Sequence, residues 1–205
     1  MIHSCLLTGV GGQGIEFLSR IMGDAAIASG LEIRGWETIG ITLQGGSVVS
    51  HVRLGQNIYS PLIPRGKAGL VIALDLAEAV RVHSFLSPTG RMLALDRAIM
   101  PASSEEKYDA GQMLSFLEAF FSHPSEERAS QKGGGEWLTV LKSEDLIKKC
   151  GSSEVLNMAL LGAAVGKNFL PIKAEDVLAA LRKRLPADSL EIHVRAFNAG
   201  RGLAG

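Results

Sequence analysis

The sequence runs to 205 residues, and its 21 Lys plus Arg are balanced by 21 Asp plus Glu, so the formal net charge is zero. That balance excludes long-range capture of nucleic acid, an anionic membrane or an acidic substrate, and the length suits one α/β domain over residues 1–205 with a variable stretch at 100–136. Two distant cysteines, Cys5 and Cys150, exclude an iron–sulfur cluster or disulfide framework built by this chain alone, while the lack of a basic leader or an apolar run of roughly 18 to 20 residues points to a cytoplasmic protein off the membrane.

In chain order, residues 2–8 are short and apolar and are bounded by Gly9, which predicts a buried strand. From Ile15 the spacing becomes helical, with Leu18, Ile21, Met22 and Ala25 on one face, and Gly30 suits the helix C-terminus. Residues 31–36 (LEIRGW) predict a second strand reached by a crossover, making a βαβ beginning. Period is lost between Glu37 and Gly46. From Ser47 the pattern alternates, with Val48, Val52 and Leu54 opposite His51 and Arg53, predicting a half-solvated strand. Gly55-Gln56-Asn57 reads as a turn, with residues 58–60 folding back as a short antiparallel partner. Residues 69–74 (GLVIAL) predict a fully buried strand, and Asp75 caps a helix over 76–85. Ser87-Pro88-Thr89-Gly90 reads as a turn before a strand over 91–95. One amphipathic helical patch, 113–121, precedes a polar, charged loop through residue 135. Residues 137–141 resume a strand, Ser143 caps a short helix, and helical stretches follow at about 153–166, 174–185 and 190–199. The expected fold is a doubly wound, mostly parallel sheet with helices on both faces and an antiparallel, hairpin-like edge.

Gly9-Val10-Gly11-Gly12-Gln13-Gly14 satisfies G-x-G-x-x-G directly after a strand and at the opening of a helix, which is the context that gives the motif meaning. Gly9 permits a tight turn, Gly11 a close backbone approach and Gly14 close helix packing, while the first-turn amides face whatever anion sits there. Three readings stay open: packing alone, a phosphate-bearing ligand, or a turn shared with a neighbouring subunit's cofactor. For NAD, an acid is wanted at the end of the second strand; Glu32 and Glu37 bracket that position, but Arg34 and Trp36 occupy it. A second cluster, Gln44-Gly45-Gly46-Ser47, is placed to bring backbone donors beside the first turn.

Absences narrow the chemistry. Gly23-Asp24 is followed by Ala25 inside a predicted helix, and no Asn pair follows, so thiamin diphosphate is not held here. GAAVGKN over 162–168 falls short of a phosphate-binding loop. The five histidines show no metal spacing; His51 alone is of interest, since it shares a strand with Ser47. No catalytic constellation is present, so the catalytic set is empty for this chain.

The phrases LLTGVGGQGIEFLSRIMGDAA, LQGGSVVSHVRLGQNIYSPLIPRGKAGLVIALDLAEAVR, SEVLNMALLGAAVGKNFLPIKAEDVLAALRKRL and IHVRAFNAG closely resemble the gamma-type chain of pyruvate, ketoisovalerate and indolepyruvate ferredoxin oxidoreductases. SHVRLG and YSPLIP are most similar to the small beta subunit of the indolepyruvate enzyme. Gly9, Gly11, Gly12, Gln13, Gly14, Gly45, Gly46 and Ser47 carry the match, and the resemblance makes these together with Gln44 the cofactor-facing set. It implies a non-catalytic subunit of an enzyme that oxidatively decarboxylates 2-oxoacids to acyl-coenzyme A. Thiamin diphosphate, magnesium and iron–sulfur clusters would sit on a large partner subunit, ferredoxin would be reached indirectly, and coenzyme A would be co-substrate. A homodimer stays open for the isolated chain. Glu16, Phe17, residues 39–43 and His193-Val194 depart from the family pattern. The rival reading is a stand-alone Rossmann-like nucleotide-binding or regulatory module.

Overall fold

Alternation of side chains along the strands sets the architecture, because each apolar strand residue must find cover on one of two faces. The computed structural model describes residues 1–38, 46–99, 109–122 and 137–204. The expected loops at 39–45 and 123–135, with Gln44 and Gly45, lie outside the described residues. Six strands, β1 (His3–Val10), β2 (Glu32–Glu37), β3 (Ser47–Gly55), β4 (Ala68–Ala73), β5 (Leu86–Leu95) and β6 (Leu138–Leu141), form one sheet in the order β2-β3-β1-β4-β5-β6. β1, β4, β5 and β6 run parallel, and β3 is antiparallel to both β1 and β2.

Cys5, Leu7, Leu70, Ile72 and Leu93 face one side of this sheet. There they share one core with α1 (Ile15–Ala28), α4 (Ser143–Cys150), α5 (Leu156–Gly166), α6 (Ala174–Arg184) and α7 (Ala187–Arg201), of which α1 and α5 lie against the strands. Leu6, Val71, Ala73 and Met92 face the other side, under α2 (Leu76–Val82) and α3 (Ala110–Ser122). Among the described residues no helix is long and apolar enough to cross a membrane.

The helix ends follow local chemistry. α1 stops where Gly30, at φ 76, takes the left-handed conformation and Leu31 N–H reaches back to Ala26 O at 2.9 Å. α6 opens with Glu175 and Asp176 and closes with Arg182, Lys183 and Arg184, opposing its macrodipole. α5 is apolar all round and buried along nearly its whole length, as a helix enclosed by others must be. Its crossing with α7 is exceptionally close. A Cβ on Gly162 would lie 2.0 Å from Phe197 O, and one on Gly200 would lie 1.8 Å from Ala159 O.

Five expectations change. β2 does not pair with β1, because β3 returns between them and takes both of β1's and β2's inner hydrogen-bonding edges. β3 is therefore interior and buried on both faces, rather than half-solvated; His51 is 6% exposed. Residues 58–60 form no strand; the segment instead hooks onto β3 through Arg53 Nη1 donating to Ser60 O at 2.9 Å and Ile63 N–H donating to His51 Nδ1 at 3.0 Å. Residues 87–90 stay within β5 as an irregularity between the Ala68/Leu86 and Leu70/Arg91 pairs, so turn-prone residues make a bulge. Ser143 begins α4 without capping it, since both its amide (2.8 Å) and its hydroxyl go to Asp96 Oδ1.

Asp24 of α1 and Arg184 of α6 form a two-pronged pair, with Nη2 to Oδ1 at 2.9 Å, that fastens the two helices together. The guanidinium hydrogen bond holds the Asp24 carboxyl below its ordinary value of 3.8. A depressed acid contributes stability above its unfolded pKa and loses it as pH falls through the folded value. Asp24→Asn is thus expected to cost about 1 kcal/mol in urea unfolding at pH 7, and the difference from wild type should shrink as pH falls below the ordinary carboxylate range.

Candidate functional site

The glycine turn sits at the carboxyl end of β1, beside the parallel neighbour β4. From these two strands the chain leaves in opposite directions, α1 covering one face of the sheet and α2 the other. This is the topological switch point at which open α/β sheets hold ligands.

Gln13 ties the turn down. Its Oε1 accepts Val10 N–H at 2.7 Å, and its Nε2 donates to Leu74 O at the end of β4 at 3.1 Å. A Cβ on Gly9 would stand 2.4 Å from that same Oε1, so glycine at 9 makes room for the strap. Gly14, at φ 76, is the N-cap of α1 and offers no side-chain cap. Its carbonyl accepts both Leu18 N–H at 2.9 Å and Asn157 Nδ2 at 3.2 Å. A Cβ on Gly14 would lie 2.4 Å from Asn157 Nδ2, so the first turn of α5 presses directly on the motif.

The second cluster does reach the first, though with the opposite polarity to that expected. Gly46 contributes its carbonyl, which accepts Gly11 N–H at 2.9 Å. Gly11 therefore spends its donor on the fold, and Gln13 N–H goes to Val10 O at 3.1 Å. The amides of Gly12 and Gly14 have no partner among the described residues, and they stand next to the uncapped first turn of α1. Gly12 is exposed at φ 93, with nothing within 4 Å of where its Cβ would be. The turn presents backbone donors and a helix N-terminus, with open space at Gly12 where an anionic group could approach.

Ser47 follows Gly46, and its hydroxyl donates to Glu78 Oε2. Glu78 is 4% exposed and also accepts Arg81 Nε at 3.2 Å. Asp75, fully buried, caps α2 by accepting Ala77 N–H (2.9 Å) and Glu78 N–H (3.3 Å), and its other oxygen accepts Ile99 N–H at 2.6 Å. Burial nevertheless pushes the Asp75 carboxyl above its ordinary value. These acids brace the rim of the site from beneath.

The remaining candidates fall away from it. His51 pairs in register with Leu6, four residues before Val10, about 13 Å down the strand from the turn. Its ring is edge-on to Trp36 and Phe85, 5.5 and 5.7 Å between centroids, and burial lowers its pKa, so it is a neutral packing residue. Glu37, the acid nearest the place a ribose would want, is separated from β1 by β3 and accepts Ser50 Oγ at 3.0 Å. Both thiols are buried and pushed up by desolvation, which removes them as nucleophiles at neutral pH. No group of three or more potential metal-binding side chains occurs among the described residues. Asp24, the one acid following a glycine in the manner of a thiamin site, is committed to Arg184.

Asn157 and Glu78 are the residues that sequence reasoning missed. A lone amide in an otherwise apolar helix was the signal for Asn157. Glu78, three residues after the Asp75 cap, looks like half of a capping box, and its turn toward Ser47 is visible only in three dimensions. Removing the Asn157 side chain takes one of two donors from Gly14 O, which keeps Leu18 N–H, and one of two acceptors from Met158 N–H, which keeps Val155 O. Asn157→Ala should therefore lose about 1 kcal/mol in urea unfolding.

Comparison with known proteins matches this arrangement along its length. The family model described as "Pyruvate ferredoxin/flavodoxin oxidoreductase" matches residues 4–203. The indolepyruvate oxidoreductase subunit IorB of Methanothermobacter thermautotrophicus is 31% identical over 208 residues, spanning 100% of this chain and 98% of that one. IorB of Thermococcus kodakarensis is 26% identical over 198 residues, 97% and 94% of the two chains. Among solved structures, the gamma subunit of a keto/oxoacid ferredoxin oxidoreductase from Geobacter sulfurreducens superposes with a TM-score of 0.69 at 19% identity, covering 100% of this chain and 97% of that one. A 2-oxoglutarate:ferredoxin oxidoreductase from Magnetococcus marinus, solved with 2-oxoglutarate, coenzyme A and succinyl-CoA bound, superposes at 0.70 and 17% identity, covering 99% of this chain but 31% of that one.

Proposed function

We propose, from the premise that this chain belongs to the pyruvate ferredoxin/flavodoxin oxidoreductase family as a subunit of a 2-oxoacid:ferredoxin oxidoreductase, that it is the small subunit of an indolepyruvate-type enzyme and lends its glycine turn to coenzyme A. In the reaction a 2-oxoacid loses its carboxylate as CO2, the acyl carbon joins the coenzyme A sulfur as the thiol proton leaves to solvent, and two electrons pass to two ferredoxins. Thiamin diphosphate, magnesium and the clusters belong to the large partner subunit, and they supply the decarboxylation and the electron path.

The observation that carries the coenzyme A assignment is the pair of amides at Gly12 and Gly14 that have no partner among the described residues, over an uncapped helix N-terminus at the switch point. A diphosphate fits such a cradle, because oriented N–H groups and the positive helix end favour negative charge without a side-chain cation. Gln13, Asn157 and Gly46 hold the cradle's shape, and their role is positioning.

Reconstitution tests the reading. The chain and its large partner, coexpressed, should copurify and reduce ferredoxin with an arylpyruvate only when coenzyme A is added, and each subunit alone should be inactive. An isolated chain that binds NAD tightly and forms no such complex would leave the stand-alone nucleotide module as the answer.

A further inference from the structure

At the opposite end of the sheet from the glycine turn, a pocket of about 390 Å³ opens over the amino-terminal ends of β1, β4 and β5. Its size falls within the roughly 300–1,000 Å³ typical of small-molecule sites. The basic side chains lining it are His3, Lys67 and Arg91, and no Asp or Glu lines it among the described residues. In a chain with as many acids as bases this is uneven, since there are enough carboxylates to pair every cation.

Arg91 is held in a distinctive way. Its guanidinium lies over the Trp137 ring at 5.3 Å and over the Phe169 ring at 5.0 Å from the centroids. Neither Arg91 nor Lys67 has a carboxylate partner among the described residues. A guanidinium oriented by two aromatic faces keeps its N–H fork available, and it loses little freedom when it grips an oxyanion.

The bulge in β5 supplies the rest. By inserting residues 87–90 between the Ala68/Leu86 and Leu70/Arg91 pairs, it brings the hydroxyls of Ser87 and Thr89 to the pocket, and bulges of this kind redirect side chains. The carboxyl end of α5 lies close by, but the carbonyls of Ala163, Ala164 and Val165 are occupied by the amides of Lys167, Phe169 and Asn168. The negative helix end is thereby blunted, and the two cations set the local field.

We propose that this pocket binds a small phosphate-bearing molecule, its oxyanion held by Arg91 and Lys67 and by the hydroxyls of Ser87 and Thr89. Two positive charges, that of Arg91 held by aromatic faces, together with several neutral donors match a dianion with three exposed oxygens better than a single carboxylate. The site is independent of the coenzyme A assignment, because it lies at the other end of the strands.

The test is titration of the full-length chain with inorganic phosphate, glycerol 3-phosphate and acetate at constant ionic strength, followed by calorimetry and backbone amide shifts. Saturable binding of both phosphates is expected, with shifts centred on residues 67–70 and 87–91 and with acetate much weaker. Arg91→Met and Lys67→Gln should each weaken binding about tenfold or more, while Gly12→Asp should leave it unchanged. Lys67→Gln decides the matter if Arg91→Met, which loses its aromatic packing, fails to fold. No saturable binding, equal affinity for acetate, or shifts at residues 9–14 that vanish in Gly12→Asp would each overturn the proposal.

Discussion

Gly200→Ala is expected to destabilise the protein by about 3 kcal/mol or more, a large part of the ~5–15 kcal/mol that holds a domain of this kind folded. The new Cβ would lie 1.8 Å from Ala159 O, 2.7 Å from its carbonyl carbon and 3.0 Å from its Cα, all backbone atoms of a buried helix. A flexible side chain could swing aside, but a helix backbone can only translate. Translation is blocked in turn, because the same two helices meet again where Gly162 faces Phe197 O. Separating them would open space around Phe197, Met158 and Leu161, which are fully buried, and would exchange close packing for a cavity. Gly202→Ala, where nothing stands within 4 Å of the new Cβ, should change stability by under about 0.5 kcal/mol. Guanidinium unfolding of the two variants makes the comparison; a Gly200→Ala midpoint equal to wild type would contradict the close crossing.

The consequence reaches the functional end of the molecule. α5 carries Asn157 in its first turn, one residue after it begins, and Asn157 presses on Gly14. A displacement of α5 by α7 is thus transmitted to the glycine turn. The phrase IHVRAFNAG, which carries part of the family resemblance, contributes Phe197 and Gly200 to this crossing. Its sequence character is accounted for by packing, with no ligand needed.

Much of the fold was readable because the relevant forces are local. Residues 69–74 are apolar without interruption because β4 is covered on both faces, and the Asp75 cap followed directly from its place between that strand and a helix. The order of strands was less legible. Nothing within residues 31–37 or 47–55 reports that β3 lies between β2 and β1, since pairing partners are chosen by the whole sheet. That single insertion removes the dinucleotide geometry that the glycine motif suggests, by moving Glu37 two strand spacings, roughly 10 Å, from β1. The SPTG stretch at 87–90 carries true turn propensities, but it is overridden by the parallel pairing on either side of it. In the candidate site, the glycine turn is legible from spacing, while the contacts of Asn157 and Glu78 are not, because their partners are 143 and 31 residues away.

The structure also changes which glycine would report on the proposed coenzyme A contact. Gly11 looks like the position of closest approach, but its amide is consumed by Gly46. Gly12 is the open position, with a free amide among the described residues and space where a Cβ would be. Its φ of 93 strains any side chain by about 1–2 kcal/mol, and Asn and Asp tolerate the left-handed region better than other residues do. Asp and Asn at this position therefore impose the same backbone cost and nearly the same shape, and they differ by one negative charge. Placed in the mouth of the proposed anion cradle, that charge would oppose a diphosphate directly.

The decisive measurement is coenzyme A binding by calorimetry to the complex assembled from this chain and its large partner, comparing wild type, Gly12→Asn and Gly12→Asp. The account predicts that Gly12→Asn binds within a few-fold of wild type, while Gly12→Asp binds about tenfold or more weakly with assembly intact. Equal coenzyme A affinity in all three complexes would contradict it.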